Sequence, residues 1–230
     1  MKNDPLLIVM LTLDDQTVMN ARDIFEGCRD CAAEYFGFKE EPLPPKEMKK
    51  LFGLMRECGK KTALEVVAYD EEKCLEGAEL AVMCGCDMLM GTMYFDSVAK
   101  LCRENGLRYL PFVGEVEGRP SVLGGTIDGM IAEAKALAAK GVDGFDLLGY
   151  RFTGDPSELI ERFVNETDLP VVIAGSINSY ERLDEIKRVS PWGFTIGSAF
   201  FEKCFGRTFA EQINNVCNYI NSKTGEAVVC

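Results

Sequence analysis

The chain has 230 residues, of which 47% are hydrophobic and 27% charged, and this is enough for a sizeable α/β core without help from metals or disulfides. Its formal net charge of −12 argues against nucleic acid or an anionic membrane as partner, because both select basic surface. It has no histidine, which excludes His-based triads, His-ligated zinc and imidazole proton shuttles and leaves the chemistry to Asp, Glu, Lys, Tyr, Cys or a carboxylate-held metal.

Leu6 to Leu11 is a continuous apolar run, suited to a strand covered on both faces, and it ends in Thr12-Leu13-Asp14-Asp15. The N-terminus lacks a cleavage-site pattern, and no apolar run approaches a membrane span. The ten cysteines are therefore expected to be free thiols in a reducing cytoplasm. The spacing of Val18, Ala21, Ile24, Phe25, Cys28 and Cys31 predicts a helix from about Gln16 to Phe36, with Asp15 as its cap. Cys28-x-x-Cys31 and Cys84-x-Cys86 have metal-like spacing, but each falls in or beside a helix and reads as core. Gly37 to Glu41 is expected to be a short strand, and Pro45 opens a helix through Cys58.

Ala63 to Ala68 predicts the third strand, with a helix over Glu71 to Cys84 stopped by Gly85. Asp87 to Thr92 and Arg108 to Val113 predict the fourth and fifth strands, with a helix over Asp96 to Glu104 between them. A long loop, Gly114 to Gly125, carries Arg119 and reads as a lid or a solvated hairpin. A helix from Thr126 runs until Gly141 stops it, and Val142 to Leu148 is the sixth strand. Asp155, Pro156 and Glu158 supply the cap, first-turn proline and third-position acid of the next helix. Val171 to Ala174 and Phe194 to Ile196 are the last two strands. A helix capped by Asn178 lies between them, and Thr208 to Asn221 forms the closing helix.

Eight strands alternating with eight helices imply a parallel sheet, and in this length they close as a (β/α)8 TIM barrel, one domain over residues 1–230. The chemistry of such a barrel sits at the C-terminal ends of its strands. There the chain offers Asp14, Lys39 and Glu65 as catalytic candidates, while Lys60 and Lys61 fall at the opposite, stability face. Glu65 interrupts an apolar strand, where an acid either lines the barrel mouth or needs a partner. A Lys39–Glu65 pair across neighbouring strands could share a proton and bring both toward neutral pKa. Asp146, inside the sixth strand, is a further barrel-layer acid, and Tyr150 and Arg151 follow it.

The last two units end alike, in Gly175-Ser176 and Gly197-Ser198. Each turn combines a bare glycine, which lets backbone N–H groups approach an anion, with a free hydroxyl, and a helix from Ala199 would point its positive end there. The loops after strands 7 and 8 form the usual phosphate site of a barrel, so Gly175, Ser176, Gly197 and Ser198 are expected to bind phosphate.

These segments resemble the ribulose-phosphate-binding barrel superfamily. IAGSI and FTIGSAFF are similar to the phosphate turns of histidine-biosynthesis isomerases and indole-glycerol-phosphate synthases. LTLDD and Lys39 resemble the first-strand ending and second-strand lysine of the orotidine-monophosphate decarboxylase group. That group's Asp-x-Lys-x-x-Asp corresponds here to Glu65 through Asp70, with Val67 at the lysine position, so the resemblance does not extend to decarboxylation. N-acetylmannosamine-6-phosphate epimerase is similar in layout and second-strand lysine, but Gly175 replaces its seventh-strand glutamate. The sixth strand has no lysine for the usual Schiff-base aldolase.

The resulting expectation is a phosphosugar-type isomerase, epimerase or lyase that needs no cofactor and no metal and works on a small phosphorylated metabolite in the cytoplasm. Neither nucleic acid nor membrane is expected as a partner, and a homodimer is left open. The alternative is a non-catalytic, phosphometabolite-binding regulatory barrel. A third option is a metal enzyme with Asp14, Glu65 and Asp70 as oxygen ligands.

Overall fold

Side chains alternate across a strand, so in a barrel every second residue faces the axis and the others face the helices. A computed structural model, describing residues 4–222, shows eight such strands. They are β1 (Leu6–Met10), β2 (Tyr35–Lys39), β3 (Lys61–Val66), β4 (Met88–Gly91), β5 (Arg108–Leu110), β6 (Phe145–Leu147), β7 (Val171–Ile173) and β8 (Gly193–Ile196). All neighbouring pairs are parallel, in the order β6-β7-β8-β1-β2-β3-β4-β5. The remaining seam is closed by a bridge between Phe112 and Asp146, with Asp146 N donating to Pro111 O at 3.0 Å.

The alternation sorts two cores. Ile8, Met10, Ala63, Met88, Met90 and Leu110 fill the barrel axis, and Tyr35 and Trp192, ring centroids 5.5 Å apart, pack against this layer at the N-terminal end. Phe36, Phe38, Leu64, Leu89, Phe145 and Phe194 face outward into the larger core beneath the helices. By this parity Lys39, Glu65 and Asp146 point inward. The register sets Lys39 directly opposite Glu65, and Glu65 opposite Met90.

The crossovers are helices α1 (Ala21–Cys28), α2 (Pro45–Glu57), α3 (Glu71–Cys84), α4 (Asp96–Glu104), α5 (Ile127–Ala139), α6 (Pro156–Glu166) and α7 (Tyr180–Val189). A single turn, α8 (Ser198–Phe201), and the closing α9 (Phe209–Asn221) complete them. Local chemistry explains their ends. The Asp155 side chain accepts from Ser157 N and Glu158 N ahead of Pro156, Thr126 accepts from Gly129 N, and Thr208 and Glu211 form a capping box. Gly85 takes the left-handed conformation that closes α3.

Three local expectations are corrected. The helix expected from Gln16 to Phe36 is only Ala21–Cys28. Its front is a hairpin in which Thr12–Leu13 pairs antiparallel with Gln16–Thr17, and its rear is the start of β2. The apolar stripe is real, with Ala21, Phe25 and Cys28 buried, but pairing of Tyr35 and Phe36 with β1 overrides it at the rear. Asp15 therefore does not cap α1; Asn20 holds that position and makes no side-chain cap. The cap of α7 is Ser179, which accepts from Arg182 N, rather than Asn178.

Candidate active site at the C-terminal barrel mouth

The mouth holds a cavity of about 490 Å³. Every residue expected at the site lines it: Asp14, Lys39, Glu65, Gly175, Ser176, Gly197 and Ser198. Asp15 and Arg151 line it too.

Lys39 sits at the floor, 5% exposed, at the last position of β2. Its Nζ donates to Asp15 Oδ1 at 2.5 Å and lies 3.4 Å from Glu65 Oε1. Burial by itself disfavours the ammonium, but the charges of Glu65 and Asp15 outweigh it and raise the Lys39 pKa above its ordinary value. The expectation that lysine and glutamate move toward neutrality is therefore not met on the lysine side: Lys39 is a firmly held cation.

Asp14 and Asp15 form the tip of the Thr12–Thr17 hairpin, and both have left-handed backbones, φ 49° and 65°. Two successive non-glycine residues in this region are the geometry of a primed hairpin turn, tolerated by Asp better than by most residues. The tip exposes Asp14 and turns Asp15 inward, where its side chain is 9% exposed. Asp15, not Asp14, therefore makes the ion pair with Lys39. Asp15 Oδ1 also lies 3.6 Å from the Arg151 guanidinium, whereas Oδ2 is buried with no partner among the described residues.

Asp146, on β6, is fully buried, and neither carboxyl oxygen has a hydrogen-bond partner among the described residues. Burial and then the nearby Glu65 charge push its pKa well above the ordinary carboxylate range, against the pull of Lys39 and Arg151. Burial there favours the neutral carboxylic acid over the carboxylate.

The two late turns open onto the same cavity. Gly175 and Ser176 have left-handed backbones, φ 86° and 56°. Among the described residues, the amides of Gly175, Ser176 and Ser198 make no backbone hydrogen bond outside regular elements. Packing also explains both glycines. A Cβ on Gly197 would lie 2.5 Å from Thr12 Oγ1, and one on Gly175 would lie 3.0 Å from Arg151 Cγ and Nε.

The loop after β5 is a hairpin, Glu115–Glu117 against Val122–Gly124. Arg119 at its tip pairs with Glu40, lies 3.3 Å from Glu41 and donates to Val67 O at 2.8 Å, while Tyr69 Oη donates to Gly118 O at 2.7 Å. These contacts moor the tip across the ends of β2 and β3, and Pro120 walls the cavity. Arg119 itself is thus committed to the two carboxylates and the carbonyl.

Several other residues stand apart. Asp70 accepts from Lys73 N as the cap of α3 and does not line the cavity, so Asp14, Glu65 and Asp70 are not gathered as one ligand set. Lys60 donates to Cys31 O and Ala33 O at the opposite end of the barrel. Cys28, Cys31, Cys84 and Cys86 are buried.

The fold is a (β/α)8 barrel, shared with solved structures of several phosphate-substrate enzymes. Thiamine phosphate pyrophosphorylase from Pyrococcus furiosus superposes with a TM-score of 0.65 at 16% identity, over 94% of this chain and 95% of its own. N-acetylmannosamine-6-phosphate 2-epimerase from Clostridium perfringens gives 0.61 at 14% identity, over 84% of this chain and 86% of its own. Orotidine 5′-phosphate decarboxylase from Lactobacillus acidophilus gives 0.65 at 14% identity, over 96% and 100%. At such identities the likeness is one of fold. No model of a known protein family matches the sequence, and no curated protein sequence matches it significantly.

Proposed function

We propose that the protein is an enzyme that moves a proton next to a carbonyl in a small phosphorylated, sugar-like metabolite, as an isomerase, epimerase or lyase does. The observation that carries this reading is the meeting of two chemistries in one cavity. Lys39, Glu65 and Asp15 lie on one side, and on the other lie two Gly-Ser turns whose Gly175, Ser176 and Ser198 amides make no backbone hydrogen bond outside regular elements among the described residues. In this reading the amides and hydroxyls of Gly175, Ser176, Gly197 and Ser198 hold the phosphate. Glu65 takes the proton from the carbon beside the carbonyl, and the Lys39 ammonium stabilises the negative oxygen that develops. A lysine held protonated by two acids is a poor amine nucleophile, which favours enolate chemistry over a Schiff base. The phosphometabolite enzymes named among the fold neighbours are in keeping with this reading.

The alternative, a barrel that binds the metabolite and regulates a partner, is less well supported. The cavity is lined by ionisable groups, and none of its lining residues is aromatic, so no ring plugs the mouth. Thermal-shift screening against sugar phosphates, followed by NMR of each hit in deuterated water, separates the two. Deuterium gained at the carbon next to the carbonyl is the expected result; tight binding without exchange would leave only the regulatory reading.

A further inference from the structure

We propose that Arg151 is the cation that receives the substrate's phosphate, and that Asp15 holds it in reserve while the site is empty. This rests on the phosphate reading above and adds a residue from neither of the two late turns.

Arg151 ends a single 3-10 turn, Gly149–Arg151, directly after β6. Its stem lies against the Gly175 turn, close enough that a Cβ on Gly175 would touch Cγ and Nε at 3.0 Å. The missing side chain at position 175 is therefore what lets the arginine reach across the turn. Among the described residues its guanidinium has only distant polar partners, Ser121 O at 3.4 Å and Asp15 Oδ1 at 3.6 Å. A guanidinium carries five N–H donors in a planar fork suited to a phosphate, so most of this capacity is unused.

Asp15 Oδ1 is already engaged by Lys39 at 2.5 Å, so Arg151 shares an oxygen that has a nearer partner. At the floor of the empty site Lys39 and Arg151 face Asp15 and Glu65, and two further acids, Asp14 and Glu202, line the same cavity. A phosphate arriving at Gly175 and Ser176 brings extra negative charge within reach of the guanidinium. Arg151 then trades one long contact to a shared carboxylate for a two-pronged contact with the ligand. Asp15 loses one positive neighbour and remains tied to Lys39 alone. Phosphate capture is thereby coupled to the charge state of the floor.

The test is binding of inorganic phosphate to the full chain, followed by calorimetry at low ionic strength, for the wild type, Arg151→Met, Arg151→Lys and Asp15→Asn. The expected result is roughly tenfold or greater weakening in Arg151→Met, the loss of a charged hydrogen-bonding partner. Arg151→Lys should fall in between, and Asp15→Asn should bind more tightly than wild type because the competing carboxylate is gone. Circular dichroism checks folding, and Arg151→Lys carries the comparison if the methionine variant does not fold. Equal affinity in wild type and the Arg151 variants overturns the proposal and leaves the phosphate reading standing. Weaker binding in Asp15→Asn overturns the reserve role. Absence of phosphate binding in the wild type overturns both.

Discussion

Thr17 Oγ1 grips both backbone polar groups of Lys39, accepting from Lys39 N at 2.8 Å and donating to Lys39 O at 2.7 Å. Thr17 also ends the hairpin that presents Asp15. One hydroxyl thus fastens the carrier of the acid to the strand that carries its ammonium partner. Thr17→Val keeps the shape and leaves two buried backbone groups unpaired, at a cost of about 1–3 kcal/mol. Urea unfolding measures the loss, and the proposed activity should fall with it. An unchanged midpoint would show that the hairpin is held by other contacts.

Lys39→Met removes the shared cation and strands Asp15 and Glu65 beside each other at the floor. Breaking a buried ionic set by deleting one member costs roughly 3–5 kcal/mol. The double variant Lys39→Met/Glu65→Gln should recover part of this, because one stranded charge is gone. A double variant that is no more stable than the single one would show that Glu65 is not coupled to Lys39.

Asp146 titrates in a way that fixes the sign of a pH effect. Its folded pKa lies above its unfolded value of about 4, so the folded protein keeps a proton that the unfolded chain has lost. Its contribution to stability is complete below that unfolded value and is lost as pH rises toward the folded value. The facing charges are Glu65, Lys39 and Arg151. Asp146→Asn should therefore gain on the wild type as pH rises from about 4, by at most about 1.4 kcal/mol per pH unit. Urea unfolding between these limits measures the gap, and a gap constant with pH would mean that Asp146 is ionised in the fold.

Gly197→Ala places a methyl 2.5 Å from Thr12 Oγ1 and 3.0 Å from Thr12 O. Overpacking of this kind costs about 1–3 kcal/mol. Thr12→Ala in the same chain should return part of it by removing the nearer atom, as thermal unfolding would report. If Gly197→Ala is as stable as wild type, the first hairpin yields and the turn is not pinned.

Ser176→Gly should stabilise the fold slightly, because serine holds φ 56° at a cost that glycine avoids. It should also weaken phosphate binding, since the hydroxyl is lost while the amide stays. Stabilisation without a change in phosphate affinity would remove Ser176 from the proposed site.

The barrel was legible because its signals are local. Apolar runs of strand length, capping residues such as Asp155 and Thr208, and stopping glycines such as Gly85 recur with a regular rhythm. Glu65 was legible for a related reason: an acid within an apolar strand must face a partner or the mouth. Lys39 followed once β2 was placed. The hairpin at Thr12–Thr17 was not legible, because the stripe that suggested one long helix is also satisfied by a short helix between two pairing segments. Choosing Asp15 over Asp14 depended on the rotation of that turn, which no spacing reveals. Arg151 was visible as an ionisable residue after β6, but only folding lays its stem along Gly175.

By itself the amino-acid order determined the alternation of strand and helix, the placing of Lys39, Glu65 and Asp146 on the second, third and sixth strands, and the paired Gly-Ser turns late in the chain. These are properties of neighbours a few residues apart, set by backbone geometry and the burial of apolar faces. Tertiary structure alone decided that Asp15 meets Lys39 and Arg151, that Asp146 lies fully buried with no side-chain hydrogen bond among the described residues, and that Arg119 is spent on Glu40 and Glu41. Those outcomes rest on contacts between segments far apart in sequence. Their energies depend on distance and burial, and neither exists until the barrel has closed.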